Sequence, residues 1–567
     1  MLRSPAAIYG GLIGVCLIVV SPVAEFPLND DWLYAMMAQD TLDARAYIAH
    51  PFVAANATLH AFWGAAVIAL FGFSYTALRV STLVFTFLAV WFACRAAREA
   101  GAARRPAFLA GLVIFVNPIV INLSYTFMTD IMFLAMITIA TWGYLRAFRT
   151  GLARDLAIGS TFAALALLIR QMGILHPAVF VIAWTIVFAR RGVLPRVSQM
   201  VAFVLPIFVG VVLYEWAGRI GGENYSWPNA WVNAPIPIIV LQICRYVFAS
   251  CIYFGLFLVP FAMAYGLYLA RRRAAWSWLR TYWAGMFLVW LLMFGCGFLL
   301  MPRPSPLPLL TNIIRNFGVG PLTLHDTTHL APGWGPVQFS GMFWWPVTVV
   351  AMISATVLGI EFFARFVLPA FRRPASTPQK SIHVRQAQYL FLVGAAAAHI
   401  LALQNPWITI VFDRYLLPSF VPLAILAAVL LTRINARRTT IVAMVVCLPC
   451  FIFSLVALQD YFAWNKARWN AIEILRTEYN AADEQIEGGF EFNGAFTSDA
   501  FMGVHETTDF LKYGNYGWWT IDPLYAVTFI PRPGYEFLQT VSYYSWLGME
   551  EREVAILKRV VPDSSRQ

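Results

Sequence analysis

Thirteen apolar stretches divide this chain, roughly at 7–23, 76–97, 106–124, 130–147, 156–173, 174–190, 198–217, 246–270, 281–301, 343–368, 388–404, 414–432 and 439–458. Segments of this kind are long enough to cross the hydrocarbon core of a bilayer as helices. In hydrocarbon every backbone N–H and C=O has to be satisfied inside the segment, so helix is the available answer. The chain is therefore expected to be a polytopic α-helical membrane protein with about 13 transmembrane helices. A content of 60% hydrophobic and 12% charged residues over 567 positions excludes an ordinary soluble globule. The first stretch follows Arg3 without a small-residue cleavage site and reads as an uncleaved anchor.

Orientation follows from the basic residues, which favour the cytoplasmic side. An inside N-terminus assigns 23 of the 31 Lys and Arg before residue 459 to the cytoplasm, in clusters near 95–105, 146–154, 190–196, 271–280, 365–385 and 433–438. The odd number of stretches then places the tail outside. The net charge of +11 is this asymmetry summed over many loops. It comes with no stacking platform of a nucleic-acid binder, so no nucleic-acid partner is expected. All seven cysteines lie in or beside apolar stretches, where Cys447 and Cys450 read as small packing residues and not as a redox or zinc pair.

Residues 1–458 read as the membrane domain and 459–567 as a small mixed α/β extracytoplasmic domain that begins with a helix over 463–480. Within the first outer loop, 29–43 and 60–71 carry apolar residues at helical spacing with Trp or Tyr, and are expected as interfacial helices. The outer loops 218–236 and 302–342 are long and show no local fold signal; such loops are more often functional than passive. No internal repeat and no low-complexity tract is evident.

Ten of the 13 acidic residues before 459 fall on the outer side, among them the adjacent pair Asp30 and Asp31 and the helix-opening Asp130. Keeping a carboxylate at a lipid boundary costs several kcal/mol unless it is paired or used, at roughly the scale of a desolvated charge. Two adjacent carboxylates repel, which favours one of them as a proton acceptor; the alternative is a helix N-cap with a favourable dipole charge. Eight outer basic residues remain, all Arg, including Arg79, Arg170 and Arg414. A guanidinium donates two parallel hydrogen bonds to phosphate and tolerates partial desolvation. Arg414, followed by Tyr415 and Pro418, is placed to reach a lipid phosphate from the lip of a span. For any one Arg the alternative is an interfacial salt bridge between loops.

His325 and His329 have i, i+4 spacing but lack the flanking Glu of a zinc-protease helix, so no metal site and no cofactor is expected. There is no phosphate-cradling GxxxxGK[ST] loop and no GxGxxG after a strand.

Four motifs occur in order: NDDWLYA at 29–35, LFGFSYTALR at 70–79, the stretch from Asn117-Pro118 to TFMTDIMF, and FDRYLLP at 412–418. Together they resemble the glycosyltransferase family 39 group of the GT-C superfamily, which includes protein O-mannosyltransferases and aminoarabinose transferases. The resemblance is strongest over 25–175 and returns at 404–425. It implies a GT-C fold and transfer of a sugar from a polyprenyl-phosphate donor to an acceptor hydroxyl of an envelope lipid, glycan or protein. The implied setting is the outer face of a bacterial inner membrane, with the C-terminal domain periplasmic. By motif position Asp30 takes the catalytic place, Asp31 that of the second acid, and Asp130 that of the second acidic motif. Arg414 and Tyr415 match the Arg-Tyr beside the lipid-phosphate pocket, with Arg79 and Arg170 as further phosphate candidates. Where the aminoarabinose branch has a basic residue this chain has Leu33, and where it has Lys-Pro-Pro this chain has Asn56-Ala57-Thr58; contacts made there are not carried over.

The expected chemistry is metal-independent and inverting. The rival from another class is a secondary transporter or lipid-linked saccharide flippase, which would keep its ionisable groups near the midplane between repeated halves.

Overall fold

The structure, a computed structural model, describes residues 4–53, 56–188, 194–221, 234–300, 306–324, 334–371, 380–404, 411–434, 437–505 and 518–560. Among them, seven helices are long and apolar enough to cross a membrane: Tyr75–Glu99, Thr129–Thr150, Val197–Ile220, Ile236–Phe257, Gly341–Val367, Asp413–Arg433 and Arg438–Thr477. An eighth arises if Arg104–Phe115 and Pro118–Ser124, which meet at 62°, form one bent span. The bend falls where Pro118 lacks an N–H and the Asn117 side chain accepts from the Ile119 amide, starting a new helix. Pro5–Val19, Thr58–Phe71 and Gln171–Val187 are shorter apolar helices.

The chain is thus a multi-pass α-helical membrane protein; among the described residues seven or eight helices satisfy length and hydropathy together, where thirteen spans were expected. One reason is length: the stretches 7–23 and 156–173 form helices of only 15 residues each, Pro5–Val19 and Ala153–Leu167. At 246–270 the boundaries differ instead. That apolar stretch is not one helix but the end of Ile236–Phe257 and the whole of Val259–Arg271, which begin anew around Leu258 and Pro260. Hydropathy runs straight through such a break because a capping Pro is itself compatible with apolar surroundings.

Side chains assigned to the same membrane side meet one another. Arg149 pairs with Glu99 at 2.7 Å, Arg385 donates to the Glu99 carbonyl at 2.6 Å, and the Ala103 amide donates to Thr432 at 2.8 Å. At the other end Glu25 accepts from Ser74 and the Tyr75 amide, each at 2.9 Å.

The two expected helices of the first outer loop are present as Asp31–Ala44 and Thr58–Phe71. The expected helix over 463–480 is the end of a 41-residue helix, Arg437–Thr477, so the last apolar stretch runs without interruption into the polar tail. Against it docks a four-stranded mixed sheet ordered Ile486–Glu487, Tyr525–Thr528, Glu550–Arg559, Tyr535–Ser545. The first pair is parallel and the others antiparallel. Asp460 fastens this sheet to the long helix, accepting from Ser545 Oγ at 2.5 Å and from the Trp546 and Leu547 amides at 2.6 and 3.2 Å.

Candidate active site

Asp30 occupies the N-cap of the Asp31–Ala44 helix, yet its side chain makes no capping hydrogen bond. It turns instead to Arg414, whose Nη2 lies 2.9 Å from Asp30 Oδ2. Arg414 Nη1 lies 3.8 Å from Asp130 Oδ2, and Arg170 Nη2 reaches the same oxygen at 2.8 Å. Four charges from four distant segments therefore alternate in one chain: Asp30, Arg414, Asp130, Arg170. Each sits at a helix end. Asp130 lies in the first turn of Thr129–Thr150, where the helix dipole favours a carboxylate. Arg170 is the N-cap of the 3₁₀ turn Gln171–Ile174, and Arg414 lies in the 3₁₀ turn Asp413–Leu416 that opens Leu417–Arg433.

Exposure separates the two acids. The Asp30 side chain is 24% exposed and that of Asp130 only 2%, so Asp30 is the acid open to solvent. Among the described residues, buried Arg414 Nε and Asp130 Oδ1 find no hydrogen-bond partner. Each is a buried polar group whose hydrogen-bonding capacity goes unused within the protein, which is uncommon in a folded chain. Tyr415 lines the cluster, its ring 5.4 Å from the Arg414 guanidinium and 5.6 Å from that of Arg170.

Asp31 and Arg79 are not brought into this cluster. Asp31 is fully buried and turns back to accept from the Leu28 amide, with the Phe127 amide at 3.5 Å. Burial outweighs the nearby Arg79 guanidinium and pushes the Asp31 carboxyl up to about 7. Arg79, also fully buried, forks to the carbonyls of Ala24 and Phe26 and lies over the Phe26 and Phe462 rings at 5.5 and 5.6 Å. Both side chains shape the loop that leads to Asp30.

The sequence reading missed several participants. Thr129 Oγ1 accepts from Arg170 Nε and Nη2 at 3.1 and 2.8 Å, aiming that guanidinium. The Tyr34 phenol feels Arg170, Asp30 and Arg414; burial pushes it up to about 12, so it stays protonated. Asp413, which precedes Arg414 in the FDRYLLP motif, accepts from the amides of Ile313, Ile314 and Arg414, the last at 2.8 Å. It thereby ties the loop around 313 to the residue next to Arg414. The buried pair of Glu491 and Arg468 left no local sequence signal. His325 and His329 lie outside the described residues, and among the described residues no three of His, Cys, Asp and Glu come together as a metal site would require.

A family model described as dolichyl-phosphate-mannose-protein mannosyltransferase matches residues 55–215. No curated protein matches the chain. Among solved structures, the S. cerevisiae protein O-mannosyltransferase Pmt1-Pmt2 complex bound to the sugar donor aligns at 12% identity and a TM-score of 0.33, over 40% of this chain and 35% of that one. ArnT from Cupriavidus metallidurans bound to undecaprenyl phosphate aligns at 13% identity and 0.40, over 98% of each chain. The oligosaccharyltransferase AglB from Archaeoglobus fulgidus, in complex with an inhibitory peptide and a dolichol-phosphate, aligns at 12% and 0.43, over 85% of this chain and 58% of that one. The chain thus spans about a third of the first of these proteins and over half of the last. By sequence it is similar to the mannosyltransferase family over 55–215, a stretch that carries Arg79, Asp130 and Arg170 but neither Asp30 nor Arg414.

Proposed function

We propose that this protein is a GT-C-type membrane glycosyltransferase that moves a sugar from a polyprenyl-phosphate donor to an acceptor hydroxyl. The observation that carries the reading is the convergence of Asp30, Arg414, Asp130 and Arg170 at one partly open point. The family match over 55–215 supports it, because that family is described by a lipid-phosphate sugar donor.

In this reading the donor phosphate takes hydrogen bonds from Arg414 and Arg170, competing with the carboxylates that hold them. Asp30, released from Arg414, accepts the proton of the acceptor hydroxyl. The hydroxyl oxygen attacks the anomeric carbon from the face opposite the phosphate, so configuration inverts. The anomeric C–O bond breaks with its electron pair going to the polyprenyl phosphate. Preorganised guanidinium donors in a poorly solvated site stabilise that anion, which is the role a metal would otherwise fill. Asp130 keeps the two Arg apart and oriented, and Tyr415 walls the pocket. No phosphate contact is proposed for Arg79. The site belongs to the outer face, with residues 459–567 periplasmic and thirteen passes in the full chain.

The test is turnover by the full-length chain in detergent, given a panel of polyprenyl-phosphate sugars, with free polyprenyl phosphate read by mass spectrometry. Envelope lipids and glycans from cells with and without the protein identify the acceptor. Release by the wild type, and release about 10²–10⁴-fold slower by Asp30→Asn, is expected. No release from any donor, with an unchanged envelope, would overturn the reading.

A further inference from the structure

The backbone before Asp30 is held by a residue of the C-terminal region. The Asn29 amide donates to Glu491 Oε1 at 2.8 Å, across 462 positions of sequence. Asn29 has φ of +58°, a left-handed conformation that Asn adopts more readily than other residues with a side chain. Glu491 is itself fixed by Arg468, whose Nη1 lies 2.7 Å from Oε2 and also donates to Thr323 Oγ1 at 2.6 Å. Both side chains of the ion pair are fully buried.

Close packing leaves this arrangement little play. A Cβ on Gly494 would meet the Trp32 indole at 2.2 Å, and one on Gly489 would meet the Thr323 carbonyl at 2.5 Å. Gly489, at φ +94°, turns the chain into the helix Phe490–Phe496 that carries Glu491. Trp32 packs edge-on against Phe490 and Trp519, with centroids 6.2 and 5.8 Å apart. A buried ion pair contributes little net stability compared with apolar side chains of the same shape. What apolar side chains would not supply here is an acceptor for the Asn29 amide.

We propose that Glu491 is a positioning residue for Asp30: by accepting from the Asn29 amide it sets the N-cap backbone that aims the Asp30 carboxylate at Arg414. The C-terminal region is then part of the active site and not a separate accessory. The inference rests on the transferase reading of Asp30. A purely structural role for the ion pair would predict that removing it whole leaves a correctly folded chain equally active.

Two paired replacements in the full-length protein decide between these roles. Glu491→Leu with Arg468→Leu removes both charges and the acceptor, avoiding a lone buried Arg. Glu491→Gln with Arg468→Gln removes the charges but keeps an amide oxygen for Asn29. In the Leu pair, kcat is expected to fall about 10- to 100-fold with donor KM little changed, the scale of a misplaced catalytic group. The Gln pair is expected to restore most of that loss. Hydrogen–deuterium exchange over residues 24–34 gives a readout that needs no substrate: faster in the Leu pair, protected in the Gln pair. Wild-type exchange in the Leu pair overturns the proposal, as does kcat within about twofold of wild type. If the wild type releases no lipid phosphate yet exchange responds as expected, the transferase reading fails and the positioning of Asn29 stands.

Discussion

Arg414 Nη2 lies 2.9 Å from Asp30 Oδ2, although 384 positions separate the two residues in sequence. The group suited to bind an anion is thus engaged with the group suited to accept a proton. In the proposed mechanism an incoming phosphate takes the place of Asp30 at Arg414, which would couple donor binding to release of the base. The local charges make the exchange feasible: two Arg and two Asp cancel, and a phosphate displaces one carboxylate from a guanidinium that remains shared with Asp130.

Asp30→Asn removes the base while keeping an oxygen able to accept from Arg414. Turnover should fall by about 10²–10⁴, the usual contribution of a positioned base. Binding of undecaprenyl phosphate, measured on the same detergent-solubilised protein, should hold or tighten because Arg414 is less strongly engaged. Turnover within a few-fold of wild type would remove Asp30 from the mechanism.

Arg414→Lys keeps the charge but not the fork that reaches Asp30 and Asp130 with separate nitrogens. Losing one charge-assisted hydrogen bond corresponds to about 1.5–3 kcal/mol, or roughly 10- to 100-fold in donor affinity. A titration with undecaprenyl phosphate measures this directly. An unchanged dissociation constant would show that the phosphate does not rest on Arg414.

Which parts of this architecture could be read from the sequence depended on the range of the interaction. Membrane class, the two helices of the first outer loop and the sheet-bearing tail follow from local periodicity and composition, and they are present. Asp30, Asp130 and Arg414 stood out because a charge in an apolar setting is conspicuous in one dimension. Their meeting point was not legible from spacing, and the different settings of Asp30 and Asp31 depend on something more local still. Asp31 bends back to the Leu28 amide, a contact three residues away that competes with any outward role. Arg79 looked like its neighbours until the carbonyls of Ala24 and Phe26 claimed it. Glu491 and Arg468 were invisible because an acid and an Arg in a polar tail are unremarkable until folding buries both. The continuity of Arg437–Thr477 was hidden by its change from apolar to polar composition, which alters a helix's surroundings and not its backbone.

Asp31 should act on stability and not on turnover. Its carboxyl is raised to about 7 in the folded protein, whereas a free Asp titrates near about 3.9. Folding therefore takes up a proton between those values. The stabilisation is complete below about pH 4 and is lost as pH rises through about 7. The apparent melting temperature of the wild type should decline over that window relative to Asp31→Asn, whose amide oxygen still accepts from Leu28 and does not titrate. Asp31→Asn should also retain turnover within a few-fold. A parallel pH profile in the two proteins would mean that Asp31 does not titrate there.

Arg79 gives the clearest contrast with Arg414, because the same residue type holds the fold in one place and is proposed to bind the ligand in the other. Its guanidinium forks to two backbone carbonyls of the loop preceding Asp30 and stacks on Phe26 and Phe462, with no exposure to solvent. Phe26 in turn stacks on Trp469 of the long helix at 5.9 Å, so this one side chain ties the first outer loop to both Tyr75–Glu99 and Arg437–Thr477. Arg79→Lys cannot satisfy both carbonyls from a single ammonium, and a buried acceptor left without a donor costs about 1–3 kcal/mol. The variant should show a lower melting temperature and a smaller monodisperse fraction on size exclusion, while whatever folds binds undecaprenyl phosphate with wild-type affinity. Arg414→Lys should show the reverse, near-normal folding with weakened binding. If instead Arg79→Lys folds normally and fails to bind the lipid phosphate, the division of labour between the two arginines is wrong.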